Sequence, residues 1–159
     1  MTETIRTKRL ELRPATMDDA EALFARLYSD PEVMRYSTRV ADTDVATTRE
    51  FLAKAIETHR SGAGEDFVVL LDGEIIGKCG VWRGNEIGFQ IARDHWGKGF
   101  AREAAEAVMA RAKARGLASL MADVDPRNAR SLALLKTMGF VITREEKNTI
   151  QIAGEWLDS

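Results

Sequence analysis

The chain carries a single cysteine, Cys79, among 159 residues. It therefore forms no internal disulfide, and a reducing, cytoplasmic address is expected. Only two histidines are present, His59 and His95, far apart and with no Cys/His cluster beside either, so no metal site is expected. No stretch approaches the length of a membrane span, and the opening MTETIRTKRL lacks the apolar run of a signal peptide, so no membrane role is expected. Nor is there an excess of charge of one sign. The formal net charge of −2 argues against a nucleic-acid partner held by phosphate neutralisation. Repeats, low-complexity tracts and linkers are absent too. What is there, 45% hydrophobic and 30% charged residues, is the composition of an ordinary globular chain, and its length predicts one domain over residues 1–159.

Residues 5–14 alternate apolar and charged side chains and read as a strand. Thr16 and Asp19 resemble a capping box before a helix with Ala20, Leu23, Phe24, Leu27 and Tyr28 on one face. Asp30-Pro31 ends it. Residues 37–44 read as a loop and 45–60 as a second helix, on which His59 reads as a packing or dipole-compensating residue. Asp72-Gly73 lies between apolar runs and predicts a hairpin, and residues 86–92 a third strand of the same meander. A helix over residues 102–115 presents Ala101, Ala104, Ala105, Val108, Met109 and Ala112 to one side. Residues 120–124 read as a strand before a helix over 129–138, residues 140–142 as the start of a strand that extends at most through the polar stretch to Ile152, Ala153-Gly154 as a turn, and residues 155–159 as the start of a last strand. Together these predict an α+β fold: a largely antiparallel sheet of about six or seven strands with about four helices.

Between the third strand of the meander and its helix stands Trp96-Gly97-Lys98-Gly99-Phe100-Ala101-Arg102. A helix N-terminus has unpaired N–H groups and a partial positive charge, and glycines let backbone approach a ligand closely. The turn is thus either a plain bend or a phosphate cradle. It is not a P-loop, since no Gly-Lys-Ser/Thr is correctly spaced, and Arg102 stands where a dinucleotide fingerprint needs glycine or alanine.

Three segments decide between these readings: Glu86 to Ile91, the turn with Glu103-Ala104, and Asn128-Ala-Arg-Ser131 running to Lys136-Thr-Met-Gly139-Phe140. Together they resemble the GNAT superfamily of acyl-CoA-dependent N-acyltransferases. The opening Thr7-Lys8-Arg9-Leu10-Glu11-Leu12-Arg13-Pro14, the turn Asp30-Pro31-Glu32-Val33 and the ending Gly154-Glu155-Trp156-Leu157-Asp158 are similar to the branch of ribosomal-protein N-terminal alanine acetyltransferases. The resemblance implies acetyl-CoA as cosubstrate and an amine as acceptor, in a monomer or homodimer. It implies that Trp96, Gly97, Lys98, Gly99, Phe100, Ala101 and Arg102 hold the pyrophosphate, and that Phe89, Gln90 and Ile91 pair with the pantetheine arm. Asn128 and Ser131 would face that arm near the thioester, and Lys136 the distal phosphate. Tryptophan at position 96, where the family usually has Gln or Arg, removes a charge contact and leaves backbone N–H groups to do most of the binding.

Each assignment has a plainer counterpart. Asn128 also suits a helix N-cap, Ser131 an ordinary first-turn serine, and Lys136 a solvated charge. Glu86 is the candidate base, against the reading of a strand-end surface carboxylate. Leu135 occupies the place of the tyrosine that many family members use as general acid, which leaves Ser131 or water to protonate the leaving thiol. Arg35, Tyr36 and Ser37 are expected to select the acceptor, and Arg35 with Arg39 to attract an acidic one. Leu135 and the early end at Ser159 support the alternative of a catalytically weak acyl-CoA-binding or regulatory module.

Overall fold

The computed structural model describes residues 4–145, 150–152 and 155–157. Strands β1 (Ile5–Arg6), β2 (Glu11–Pro14), β3 (Glu65–Leu71), β4 (Glu74–Arg83) and β5 (Glu86–Ile91) form one antiparallel sheet in chain order. The helices are α1 (Ala20–Leu23), prolonged by a π turn over Phe24–Tyr28, then α2 (Val45–Ser61), α3 (Phe100–Ala114) and α4 (Ala129–Thr137). Strands β6 (Ile150–Ile152) and β7 (Glu155–Leu157) make a separate antiparallel ribbon. The expected turn at Ala153-Gly154 and the polar stretch 146–149 lie outside the described residues.

Local chemistry explains the element ends. The expected first strand divides into β1 and β2, which pair as Ile5 with Leu12 and Arg6 with Glu11. Asp19 accepts from the Thr16 N–H at 2.8 Å, as the capping box requires, and also takes both Arg13 Nη groups at 2.9 Å. Asp44 caps α2 through Ala46 N–H at 2.8 Å, and Gly62 closes it at φ 81°. Asp72 and Gly73 take φ of 50° and 82°, the left-handed pair a two-residue hairpin needs.

The two faces of the sheet follow the two-residue strand repeat except at a β-bulge, where Ile76 is the extra residue between the Val69–Gly77 and Leu70–Ile75 pairs. Phe67, Val69, Ile76, Cys79, Ile87 and Ile91 face α3, whose Ala104, Ala105, Val108 and Ala112 are buried against them. Small side chains let that helix lie close to the strands. Val68, Leu70 and Ile75 face Ala20, Leu23, Leu27 and Leu52 of the first two helices. His59 packs edge-on to Phe67, with Nδ1 3.0 Å from the Asp66 carbonyl.

One expected strand does not form, and among the described residues the strand expected to start at residues 140–142 is present only at its far end, as β6. Residues 120–124 reduce to a single parallel bridge between Glu86 and Met121, in which Ile87 N–H reaches the Met121 carbonyl at 2.9 Å and Met121 N–H the Asn85 carbonyl at 2.9 Å. Residues 140–142 follow the end of α4 as irregular chain, with Phe140 N–H on the Leu135 carbonyl and Val141 exposed. A short apolar run has no pairing partner of its own, so it becomes a strand only where a neighbour offers one. Among the described residues the sheet thus has five strands, fewer than the expected six or seven, with β6 and β7 in a ribbon apart from it.

Gly88 illustrates how tightly the Trp82 face of β5 is built. A Cβ there would lie 2.2 Å from an atom of the Trp82 ring, whose Nε1 is fixed to Asp66 at 3.0 Å. Gly88→Ala is therefore expected to destabilise the fold by about 1–3 kcal/mol and to displace Trp82. Urea unfolding followed by tryptophan fluorescence checks this; an unchanged midpoint would show that the ring has room to move.

Candidate active site

Strand β5 delivers the chain into the glycine turn. Ala92 N–H closes the strand on the Ile76 carbonyl at 2.7 Å, a single 3-10 turn follows over Arg93–His95, and Gly97 and Gly99 take φ of 74° and 81°. Gly99 is the N-cap of α3, and its carbonyl accepts from Glu103 N–H at 3.1 Å. Among the described residues, no backbone N–H from Gly97 through Arg102 meets a backbone or side-chain acceptor. The sequence-predicted turn is therefore a row of free donors at the positive end of a fifteen-residue helix.

The side chains of the turn point elsewhere. Trp96 Nε1 donates to the Ile91 carbonyl at 2.6 Å, which ties the turn to the end of β5. Lys98 Nζ folds back toward the Asp94 carbonyl at 3.4 Å, and Arg102 pairs with Glu106 at 2.7 Å. Phe100 is buried, and Ala101 is partly buried against the same core. Arg130, from the first turn of α4, lies over the Trp96 ring with its Cζ 4.5 Å from the centroid. A cation thus stands beside the position where tryptophan replaces a polar residue.

The outer edge of β5 is open beyond its bridge to Met121. Ile87 N–H points outward to Met121, so by the strand repeat the Phe89 and Ile91 N–H groups face the same side. No backbone bond crosses to them from the described residues. Gln90 projects to the opposite face, where its Nε2 lies 3.4 Å from Met34 Sδ. Among the described residues the sheet therefore has a gap on this side of Phe89 to Ile91, beyond the bridge to Met121.

Asn128 caps α4, with Oδ1 accepting from Ser131 N–H at 3.2 Å. The cap reading is thereby observed, and it orients the amide at the helix start. Next to it, Arg127 is bidentate to Asp125 at 2.7 and 3.0 Å and holds that carboxyl below its ordinary range. The Arg127 Cζ also lies 5.7 Å from the Tyr36 ring centroid, and Arg35 lies 5.3 Å from the same ring. Tyr36 thus joins the expected acceptor loop to the residues preceding Asn128. Ser37 is held in that loop through its N–H on the Met34 carbonyl.

Other expected residues sit apart. Glu86 is at the closed end of the gap, 3.5 Å from Arg83 Nε. Lys136 lines a cavity of about 890 Å³ with Met109, Leu117 and Phe140, behind α4. Leu135 is buried and offers no proton donor. Arg39 is paired with Asp42, which also accepts from Thr48, and its guanidinium lies 4.0 Å from the Phe51 centroid. That pairing neutralises Arg39 inside the protein, whereas Arg35, 3.9 Å from Glu32, remains exposed.

Residues 9–141 match the family profile described as Acetyltransferase (GNAT) domain. The chain belongs to the GNAT family. It is an acyl-CoA-dependent acetyltransferase. An N-acetyltransferase of Bacillus licheniformis named p20, of uncharacterised activity, is 34% identical over 147 residues, covering 87% of this chain and 82% of that protein. The crystal structure of a GNAT acetyltransferase from Bacillus anthracis superposes with a TM-score of 0.83 at 27% identity, over 98% of this chain and 94% of that one. A ribosomal L7/L12 α-N-protein acetyltransferase solved in complex with coenzyme A has a TM-score of 0.87 at 19% identity, over 98% of this chain and 94% of that one, and it shares the fold. Among the described residues no helix is long and apolar enough to cross a membrane.

Arg127, Arg130 and the Met34 contact to Gln90 entered no sequence expectation. Each joins segments distant in the chain, and a surface arginine carries no periodic signal that marks its partner.

Proposed function

We propose that this GNAT enzyme moves an acetyl group from acetyl-CoA to a primary amine, a protein N-terminus or a small-molecule amine, by direct attack in a ternary complex. The observation that carries the reading is the run of free N–H groups from Gly97 through Arg102 beside the open edge of β5. When bound, acetyl-CoA supplies an acetyl thioester. The turn suits its pyrophosphate, because backbone donors at a helix start need no side-chain charge to receive an anion. Phe89 and Ile91 offer outward N–H groups to the amides of the pantetheine arm, and Asn128 and Ser131 face it across the gap. Arg35, Tyr36 and Ser37 border the acceptor side. The domain spans residues 1–159 and works in the cytoplasm.

In the reaction the amine nitrogen bonds to the acetyl carbon while the carbon–sulfur bond breaks. Glu86 takes the amine's proton through water, and the leaving sulfur takes a proton from the Ser131 hydroxyl, which regains one from water in the same step. An α-amino group titrates near about 8, a lysine side chain near about 10.4, so an N-terminal acceptor demands little from the base at neutral pH. Holding both reactants in line supplies much of the acceleration.

Release of free thiol from acetyl-CoA, measured across amines and N-terminal peptides, tests the proposal. Release above the enzyme-free rate with at least one acceptor is expected. Silence across a broad panel would overturn it in favour of an acyl-CoA-binding module. With an active acceptor, Asn128→Ala is expected to lower kcat by about tenfold or more, beyond the effect of Glu86→Gln, because it removes both the cap and the polar group facing the arm. Wild-type rates in both variants would remove both residues from the site.

A further inference from the structure

The β1–β2 hairpin reaches across to the glycine turn, and Arg9 makes the contact. Its Nη1 donates to the Lys98 carbonyl at 2.9 Å, and its Nε donates to Glu103 Oε1 at 2.7 Å. Its backbone N–H donates to Glu103 Oε2 at 2.8 Å, which the Thr7 hydroxyl also meets. The guanidinium lies 4.3 Å from the Phe100 centroid, and a Cβ on Gly99 would meet Arg9 Nη2 at 3.4 Å. One side chain therefore touches the carbonyl, the cap and the first turn of the helix that opens the site.

The consequence lies in peptide geometry. A trans peptide is planar, with its C=O and N–H pointing in opposite directions. With the Lys98 carbonyl held toward Arg9, the Gly99 N–H must point away from the hairpin, where no protein acceptor meets it among the described residues. Gly97 and Gly99 flank this unit, and glycine accepts either sign of φ, so the turn's own sequence does little to fix which way the peptide faces. The fixing comes from outside the turn.

We infer that Arg9 is a positioning residue for the donor's pyrophosphate: bonded to the Lys98 carbonyl and to Glu103, it holds the Lys98–Gly99 peptide with its N–H turned toward the ligand. The inference rests on the reading of the turn given above. The charge of Arg9 is balanced by Glu103, so its part is to set backbone direction and not to touch the anion. Lysine would serve less well, because one ammonium cannot span the carbonyl and the carboxylate in the plane that stacks on Phe100.

The test compares Arg9→Ala, Arg9→Lys and the wild-type chain by calorimetric binding of CoA, and by kcat/KM with acetyl-CoA and with S-acetylpantetheine, which lacks the pyrophosphate. Arg9→Ala is expected to weaken CoA about tenfold and to raise KM for acetyl-CoA to match, while kcat/KM for S-acetylpantetheine stays within about twofold of wild type. Arg9→Lys should fall between. Parallel losses with both donors would reduce Arg9 to a general structural role and overturn the inference, as would unchanged CoA affinity. A wild-type chain that binds no CoA would overturn this inference and the reading of the turn together.

Discussion

Lys78→Ala is expected to lower the free energy of unfolding by about 3–5 kcal/mol, since it leaves a buried carboxylate without its counter-ion. Lys78 is 2% exposed and pairs with Asp66, itself 7% exposed. The other Asp66 oxygen accepts from Trp82 Nε1 at 3.0 Å, and the Lys78 ammonium lies beside the Tyr28 and Phe51 rings, 6.0 and 5.8 Å from their centroids. Water cannot readily replace the lost cation there. The double substitution Lys78→Met with Asp66→Leu is expected to regain much of the loss, because no orphan charge then remains. Urea denaturation measures both. A single variant within about 1 kcal/mol of wild type would mean that the pair is better hydrated than its burial implies. Lys78 stands opposite Gln90 in the β4–β5 register, so the same pair also steadies the strand whose edge borders the gap.

The second large effect is expected at Gly99. A valine there must hold φ near 81°, a region hostile to β-branched residues, and its Cβ would approach Arg9. The chain relieves that strain most easily by turning the Lys98–Gly99 peptide, which removes a donor from the row. Gly99→Val is therefore expected to weaken CoA by at least about tenfold, equivalent to roughly 1.4 kcal/mol. Gly97→Ala provides the contrast. A Cβ at position 97 meets nothing within 4 Å, so only the positive φ opposes it and a smaller loss is expected. Calorimetry with CoA separates the two; equal, wild-type affinities would show that the ligand does not use this turn.

Local patterns carried much of this architecture into view. The Asp72-Gly73 hairpin, the capped helix α2 and the alanine face of α3 are each written in neighbouring residues, and each forms as expected. The turn was legible for the same reason: its glycines and the helix behind them are contiguous. Residues 120–124 were not, because whether they pair depends on a partner strand that holds them only at Met121. Trp96 read as the loss of a cation, yet Arg130 stands over its ring from a different helix. Arg39 read as an acceptor-facing charge, and a carboxylate three residues on claims it instead. Both differences arise from tertiary pairing, which a linear pattern of charges does not encode.

The most direct test follows the backbone amides themselves. Isotope-labelled protein titrated with acetyl-CoA should show its largest amide shifts at Gly97, Gly99 and Ala101 of the turn and at Phe89 and Ile91 of the open edge. Those are the donors left without acceptors among the described residues, and a bound pyrophosphate and pantetheine arm would take them up. Acetyl-CoA that leaves these amides unmoved, or that shifts only residues of another face, would contradict the assignment of the turn as the donor site.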